Sequence, residues 1–290
     1  MALPEGFDIH NFVRIVLAED LGTGGDVTSK ATIPEDARFT AEMNARQPLT
    51  VAGIEIAAAF FRALDSKVET DMLVSDGERV EHGTTLMRMS GNARAMLTAE
   101  RSALNTLQHL SGIATLTRQY VDAIAGTATV LIDTRKTIPG LRLLEKYAVR
   151  MGGAQNHRMR LDDGVLIKDN HVAVCGGVAE AVRRAKAANT GLSIQVEVDR
   201  IDQIEPALAA GADRLLLDNM DPAQLREAVR LVARRVPLEA SGGVTLETIR
   251  FLAETGVDFI SVGRITQSAP AVDIGMDYSF VQASAEPQRK

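Results

Sequence analysis

The second half of the chain carries six short apolar runs, rich in Val, Ile and Leu, that recur at intervals of about twenty residues. The runs cover residues 128–132, 165–167, 192–198, 214–217, 236–240 and 258–262. A helical pattern separates each of the later pairs, and this alternation predicts parallel β-α units that close into an α/β barrel. A doubly wound open sheet is the alternative. Against it, no G-x-G-x-x-G turn follows a strand, and no G-x-x-x-x-G-K-[ST] loop occurs.

The first half of the chain has a different organisation. Residues 7–21 have helical periodicity, which ends at a glycine-rich stretch. Between residues 40 and 89, short alternating runs broken by glycine predict antiparallel strands, with residues 54–64 as a covering helix. Residues 93–119 form a long helical pattern that predicts a connection between an N-terminal α+β domain and the barrel.

Composition limits the functional classes. The formal net charge of -6 argues against general nucleic-acid binding, which needs clustered excess Lys and Arg. No apolar run approaches the roughly 18 residues of a membrane span. The single cysteine, Cys175, excludes an internal disulfide, and the N-terminus lacks a basic region and an apolar signal core. We therefore expect a cytoplasmic protein.

Residues 133–142 (DTRKTIPGLR) place two adjacent cations and a Pro-Gly turn directly after the first apolar run of the barrel. A buried strand has no packing reason to end in unpaired positive charge, and such charge is costly unless an anion balances it. Arg135 and Lys136 therefore predict an anion site at the end of this strand.

Polar residues also follow the other predicted strands, as a barrel active site requires, because such sites lie at the carboxyl ends of the strands. The cations Arg135, Lys136, Arg158 and Lys168, together with His157, belong to the first half of the barrel and suit a planar acid with several negative charges. The later ends carry Glu197 and Asp218, which suit ribose hydroxyls or Mg²⁺, and the backbone of Ser241, Gly242, Gly243 and Gly263, which suits a terminal phosphate. The pattern predicts a dianionic acid bound beside a phosphorylated sugar.

Together these motifs make the chain recognisable. They are EDLG at 19–22, GDVT at 25–28, ERSALN at 100–105, DTRKT at 133–137, NHR at 156–158, LIKDNH at 166–171, EVD at 197–199, LDN at 217–219, SGG at 241–243 and SAP at 268–270. The chain resembles bacterial quinolinate phosphoribosyltransferase (decarboxylating), also called nicotinate-nucleotide pyrophosphorylase, over nearly its whole length.

The resemblance implies both fold and reaction. The family places an N-terminal α+β open sandwich on an incomplete, seven-stranded α/β barrel, which here predicts domains 1–110, joined by 270–290, and 111–269. The family transfers phosphoribosyl from phosphoribosyl pyrophosphate (PRPP) to quinolinate with decarboxylation. The products are nicotinate mononucleotide, pyrophosphate and CO₂, in de novo NAD biosynthesis, and Mg²⁺ is the cofactor.

The resemblance also implies roles for individual residues. Quinolinate would be held by Arg101, Arg135, His157, Arg158 and Lys168. PRPP would be bound by Thr134, Lys136, Glu197, Asp218, Ser241, Gly242, Gly243, Val262, Gly263 and Arg264. The catalytic residues would be Glu197, Asp218, Lys136 and Lys168, with Glu197 and Asp218 as the Mg²⁺ ligands.

Two further expectations concern assembly and a departure from the family. The family's active unit is a homodimer, in which Arg101 would reach into the partner's site. The chain has Gln267 in a TQS segment where the family often has THS. A glutamine can donate a hydrogen bond to phosphate but cannot carry charge or move a proton near neutral pH, so essential acid-base work at this position is not expected.

Three alternatives stay open at the level of the sequence. Lys168, with Asp169 beside it, also suits a Schiff-base aldolase, although this leaves the other cations unexplained. A related transferase-like protein of the molybdenum-transport loci is a second, which the full set of cation motifs disfavours. The third is a non-catalytic barrel that senses a phosphorylated metabolite.

Overall fold

The computed structural model describes residues 3–279 and divides the chain into two compact units. Within the described residues, one unit comprises residues 3–115 and 269–279, and the other comprises Leu116–Ser268. The domains expected from the sequence, 1–110 with 270–290 and 111–269, stay a prediction. The expected contribution of residues 280–290 to the first domain lies outside the described residues.

The first unit is built on an antiparallel sheet whose strand order is β12-β1-β5-β3. Its strands are β1 (Arg38–Ala45), β2 (Leu49–Thr50), β3 (Glu69–Met72), β4 (Arg79–Val80), β5 (Thr85–Asn92) and β12 (Ile274–Ser279). Alternate residues of β1 are buried, as expected for a strand that packs one face on a core. Strands β2 and β4 form a separate two-stranded sheet.

The helices of this unit are α1 (Ile9–Leu21), α2 (Val27–Thr32), α3 (Ile54–Leu64) and the start of α4 (Ala93–Ala123). Three of them match the predicted helical patterns at 7–21, 54–64 and 93–119, while the short helix α2 was not predicted. Asp8 caps α1 by accepting a hydrogen bond from Asn11 N, and Gly22 ends the helix with a φ of 51°. Helix α4 continues into the second unit, so it connects the two units, as predicted for residues 93–119.

The second unit contains a six-stranded parallel sheet with the order β6-β11-β10-β9-β8-β7. The strands are β6 (Val130–Ile132), β7 (Val165–Ile167), β8 (Ile194–Val198), β9 (Arg214–Asp218), β10 (Leu238–Ser241) and β11 (Phe259–Ser261). All six coincide with the predicted apolar runs. Most of their residues are buried, which is typical of parallel strands covered on both faces.

Beside these six strands, the described residues add one isolated bridge to β6. Gln155 forms an isolated parallel bridge with Ile132, since its N–H donates to Leu131 O at 3.0 Å and its carbonyl accepts from Asp133 N at 3.2 Å. Within residues 3–279 the sheet therefore consists of six strands and this bridge.

Helices connect the parallel strands. They are α5 (Arg142–Met151), α6 (Asp169–Cys175), α7 (Val178–Ala187), α8 (Ile204–Ala210), α9 (Pro222–Val232), α10 (Ile249–Ala253) and α11 (Arg264–Gln267), with a 3-10 turn at Ile201–Gln203. Helix α9 shows why they start where they do. Asp221 accepts hydrogen bonds from the N–H groups of Ala223 and Gln224, and Pro222 occupies the first helical position. None of the helices in the described part of the chain is long and apolar enough to cross a membrane.

Candidate active site

A cleft of about 900 Å³ opens at the carboxyl ends of the parallel strands in the second unit. The residues that line it include every predicted site residue of that unit: Thr134, Arg135, Lys136, His157, Arg158, Lys168, Glu197, Asp218, Ser241, Gly242, Gly243, Val262, Gly263 and Arg264. Because the carboxyl ends of parallel strands meet at one edge, residues far apart in sequence come together here.

The segment after β6 carries Arg135 and Lys136, which both line the cleft. Two hydrogen bonds between hydroxyl side chains and its backbone hold this segment in place. Lys136 N donates to Thr134 Oγ1 at 3.0 Å, and Thr266 Oγ1 donates to Lys136 O at 2.7 Å. Arg135 Nε is buried and, among the described residues, has no hydrogen-bond partner. A buried donor without an acceptor is unfavourable, so Arg135 is suited to an anionic ligand.

Arg158 adds a second guanidinium beside the first. One of its nitrogens, Nη1, donates to Gly164 O at 2.7 Å. Burial lowers the pKa of Arg158, and the positive charge of Arg135 lowers it further. An arginine remains protonated despite such a shift, so the two like charges leave this side of the cleft with an excess of positive charge that a dicarboxylate would balance.

A buried ion pair that sequence reasoning missed holds the two cation segments together. Lys146 of α5 lies 2.5 Å from Asp133 Oδ1, and the two side chains are 1% and 0% exposed. Lys146 Nζ also donates to the carbonyls of His157 and Arg158, while Asp133 accepts from His157 N and from Asn156 Nδ2.

The hydrogen-bond partners around this pair suit a charged lysine and a charged aspartate. Burial raises the pKa of Asp133 and lowers that of Lys146, and the attraction between the two charges opposes both shifts. Three acceptors surround Lys146 Nζ, which matches the three donors of an ammonium group. The pair therefore links the end of β6 to the segment that carries His157 and Arg158.

The opposite side of the cleft is acidic. Burial raises the pKa of Glu197, and the negative charge of Asp218 raises it further. Burial likewise raises the pKa of Asp218, against a 2.6 Å hydrogen bond from Asn219 Nδ2. Lys168 Nζ lies 4.0 Å from Glu197 Oε2. Two carboxylates that repel each other at a cleft wall form a place where a cation is favourable.

The cleft also has a glycine-lined end after β10. Gly242 and Gly243 have φ values of 102° and 58°, in the left-handed region. A Cβ atom on Gly242 would lie 2.1 Å from Asn219 Oδ1, and one on Gly263 would lie 2.8 Å from Lys136 Cδ. At Gly242 both the φ value and the closeness of Asn219 require glycine, and a backbone without side chains can offer its N–H groups to a phosphate.

Three other residues of the sequence motifs or their neighbourhood lie as follows. Arg101 is exposed on α4, in the first unit, and is not among the described residues that line the cleft. His171 Nδ1 accepts a hydrogen bond from Lys168 N at 3.0 Å, so it orders the start of α6. Gln267 is exposed and lines the cleft.

Polar residues that the motifs did not include form part of the cleft floor, where Glu239 is one of the lining residues. Gln195 and Arg214 both contact Glu239, and Gln195 and Glu239 contact the ring of His157. The sequence contained one signal for these residues, because each is a polar residue inside an otherwise apolar strand. Parallel strands of a barrel rarely bury charge, so such a residue indicates a specific buried partner.

Comparison with known proteins now identifies the family. Residues 113–277 match the model of the quinolinate phosphoribosyl transferase C-terminal domain, and residues 26–111 match that of its N-terminal domain. The chain belongs to the quinolinate phosphoribosyltransferase family. The resemblance inferred from the sequence motifs is thus confirmed.

Relatives support the assignment over most of the chain. The nicotinate-nucleotide pyrophosphorylase [carboxylating] of Mycobacterium leprae is 44% identical, over 91% of this chain and 95% of its own. A probable enzyme of the same name from Bacillus subtilis is 42% identical, with 92% of each chain covered.

Solved structures of the quinolinate phosphoribosyltransferase family superpose closely. The nicotinate-nucleotide pyrophosphorylase of Francisella tularensis aligns with a TM-score of 0.89 at 39% identity, covering 96% of this chain and all of that one. That of Ehrlichia chaffeensis aligns with a TM-score of 0.91 at 39% identity, covering 94% of this chain and all of that one.

Proposed function

We propose that the protein is a quinolinate phosphoribosyltransferase (decarboxylating). It joins quinolinate to the ribose of PRPP and releases pyrophosphate and CO₂, which yields nicotinate mononucleotide for de novo NAD biosynthesis. The observation that carries the proposal is the division of one cleft into a cationic side, an acidic side and a glycine-lined end. These three parts match, in turn, a dicarboxylate, a ribose with its leaving group, and a phosphate.

We propose further that the parallel sheet is the family's incomplete barrel. The first strand, β6, pairs with the last, β11, and the remaining neighbours follow in chain order. A doubly wound sheet instead reverses its strand order at a switch point. The bridge at Gln155, on the free side of β6, occupies the place of the seventh strand.

The cationic side would bind quinolinate. Arg135 and Arg158 offer planar guanidinium groups for the two carboxylates, and Lys168 supplies a third positive charge. The phosphoribosyl group would extend toward Glu197 and Asp218, with its 5′-phosphate at the glycine-lined end. The segments with Thr134, Lys136, Val262, Gly263 and Arg264 would complete the PRPP site.

The donor set fits Mg²⁺. Among residues 3–279 no group of three or more His, Cys, Asp or Glu side chains could hold a metal ion by itself. Mg²⁺ commonly uses only one or two carboxylates and takes its other ligands from water and substrate phosphates. Glu197 and Asp218 would supply these carboxylates, and the ion would supply neutralisation of the charge that develops on the leaving pyrophosphate.

The reaction follows from the placement of charge. The quinolinate nitrogen attacks ribose C1 as pyrophosphate departs, and the carboxylate of Glu197 stabilises the positive charge that builds up on the sugar. Ribosylation makes the ring nitrogen cationic, so the adjacent ring carbon can keep the electron pair of its C–C bond when the carboxylate leaves as CO₂. That carbon then takes a proton from water, which gives the C–H bond of nicotinate mononucleotide. Arg135 and Arg158 orient the ring for the attack.

The surroundings of Lys168 do not favour the aldolase alternative. A Schiff-base lysine is activated by desolvation or by a neighbouring cation. The Lys168 side chain is 52% exposed, and its charged neighbour is the carboxylate of Glu197.

The proposal is tested by direct assay. Purified protein with Mg²⁺, PRPP and quinolinate should form nicotinate mononucleotide and CO₂, followed by mass spectrometry, and chelation of Mg²⁺ should abolish the product. Nicotinate in place of quinolinate is the matched control and should give no product. Binding of quinolinate without turnover would instead support a sensor.

The Gly242→Ala variant tests the glycine-lined end. The new methyl group would collide with Asn219, whose side chain hydrogen-bonds Asp218. We expect the KM for PRPP to rise on the order of 10- to 100-fold, because small displacements at a reacting site are costly. Steady-state kinetics with PRPP as the varied substrate measure this.

Gly176→Ala provides the control for Gly242→Ala. Gly176 has a similar positive φ of 83°, but a Cβ there meets nothing within 4 Å, and the residue is not among those that line the cleft. Equal effects of the two variants on the KM for PRPP would show that backbone strain, rather than closeness to Asn219, explains the loss.

We propose that the active unit is a homodimer in which Arg101 enters the partner's cleft. A heterodimer of Arg101→Ala and Lys168→Ala subunits, purified with two different tags, then contains one intact site. It should regain about half of the wild-type activity, although each homodimer is nearly inactive. If Arg101 served its own subunit, the heterodimer would have no intact site and would stay inactive.

We also propose a cytoplasmic location. Cys175 is free, and a chain with one cysteine has no internal disulfide to maintain, so a reducing compartment suits it.

A further inference from the structure

A buried polar layer within the parallel sheet forms part of the floor of the cleft, and its member Glu239 is one of the lining residues. Gln195, Arg214 and Glu239 stand on the neighbouring strands β8, β9 and β10, and Gln195 pairs in register with Arg214. Gln195 is 5% exposed and Glu239 is 1% exposed. Apolar residues normally fill the inside of such a sheet, and buried charge is costly unless it is well paired. The layer therefore calls for an explanation beyond packing.

The carboxylate of Glu239 is the centre of this layer. Its Oε2 accepts from Gln195 Nε2 at 2.7 Å and lies 2.8 Å from Arg214 Nη2, in an ion pair whose angle does not make a hydrogen bond. Arg214 also stacks on Phe259, with its guanidinium carbon 3.9 Å from the ring centre. Burial raises the pKa of Glu239, but contact with His157 and the charge of Arg214 outweigh burial and leave the pKa below its ordinary value. The ion pair with Arg214 favours the ionised form of this carboxylate.

The ring of His157 joins this layer to the cleft. Its Nδ1 accepts a hydrogen bond from the backbone N–H of Arg158 at 2.7 Å. Its Nε2 faces Gln195 Oε1 at 3.1 Å and Glu239 Oε2 at 3.4 Å. Since Nδ1 accepts and Nε2 faces two acceptors, the proton of the neutral ring belongs on Nε2. Both ring nitrogens are thus engaged within the protein.

We propose that Glu239 is a positioning residue for quinolinate binding, which acts by holding the His157 ring so that the ring fixes the backbone of Arg158. The inference rests on the proposed function. It changes the role expected for His157, because the ring then orients Arg158 rather than binding a carboxylate with its own nitrogens. The guanidinium of Arg158, held also through Gly164 O, is the group that meets the substrate.

The tautomer of His157 gives a direct test on the wild-type protein. The chain has five histidines, so a ¹⁵N-histidine NMR spectrum is simple, and loss of one ring signal set in His157→Gln assigns it. We expect His157 to show an unprotonated Nδ1 and a protonated Nε2 in the free protein and in the quinolinate complex. A protonated Nδ1 in the free protein, or a change on binding quinolinate, would overturn the proposal.

The Glu239→Gln variant gives the functional test. Loss of the negative charge should release the His157 ring and raise the Kd for quinolinate by about tenfold or more, with a much smaller change in the Kd for PRPP, both by calorimetry. Glu205→Gln is the control, because Glu205 also pairs with an arginine, Arg235, at 2.7 Å but on the surface. It should leave both Kd values unchanged.

Exchanging the side chains of Gln195 and Glu239 distinguishes a positioning role of the carboxylate from a general contribution to the structure. In the Gln195→Glu/Glu239→Gln double variant, a carboxylate again faces His157 Nε2 and lies next to Arg214, so quinolinate affinity should recover most of the loss. Unchanged quinolinate affinity in Glu239→Gln, or an equal loss for both substrates without recovery, would overturn the proposal.

The experiments also distinguish a failure of this inference from a failure of the proposed function. The wild-type protein tests the reaction through product formation, and the variants test the layer through affinity. Wild-type turnover combined with an unaffected Glu239→Gln variant would refute the positioning role alone.

Discussion

Replacing Lys146 with methionine should lower the free energy of unfolding by about 3–5 kcal/mol, measured by urea denaturation followed by circular dichroism. Methionine fills a similar volume but leaves Asp133 as a buried charge without its cation. The side chains of both residues are almost completely buried, so water cannot compensate for the loss. The carbonyls of His157 and Arg158 also lose their donor.

A second substitution distinguishes lost charge balance from lost packing. Lys146→Met/Asp133→Asn removes the unpaired charge and should be more stable than Lys146→Met alone, because the two effects are coupled. Lys67→Met, at an exposed position, should leave the unfolding midpoint close to that of the wild type. If the double variant were less stable than Lys146→Met, the unpaired charge of Asp133 would not explain the loss of stability in Lys146→Met.

Replacing Arg135 with alanine should lower kcat/KM for quinolinate by at least ~100-fold, since orientation and charge stabilisation together carry the proposed reaction. Arg135 has a buried Nε that lacks a hydrogen-bond partner in the described residues, and its charge acts on Arg158 across the cleft floor. Lys168→Ala should have an effect of the same size, because it removes the cation next to Glu197. Steady-state assay of product formation measures both.

Arg160→Ala is the matched control for the arginine variant. Arg160 lies two residues from Arg158, but its side chain is 71% exposed, pairs with Asp162 at 2.9 Å and is not among the cleft-lining residues. Its kcat/KM should stay near that of the wild type. Near-normal kinetics in Arg135→Ala would contradict the assignment of the cationic side to quinolinate.

Much of the fold could be predicted because it depends on local pattern. The six apolar runs became β6 to β11, and the glycine-rich stretch after residue 21 placed the end of α1 correctly. The carboxyl ends of parallel strands meet at one edge of the sheet, and this rule also predicted which distant residues share the cleft. The isolated bridge at Gln155 involves a single residue, and this is too short a pattern to be detected in a sequence.

The supporting residues could not be predicted from pattern. Lys146 lies on an amphipathic helix, where a lysine usually faces water, and nothing nearby in sequence marks Asp133 as its partner. Gln195, Arg214 and Glu239 are separated by up to 44 residues and contact one another only because their strands are neighbours. Their pairing is a property of the assembled sheet.

The sequence by itself determined the strand positions, the family and the residues that line the cleft, because each depends on short motifs and on the period of apolar residues. The tertiary structure decided how these residues are held: the Asp133–Lys146 pair, the engagement of both His157 nitrogens and the buried charge of Glu239. The reason is that a buried polar group is stable only with its particular partners, and those partners come from elements distant in the chain.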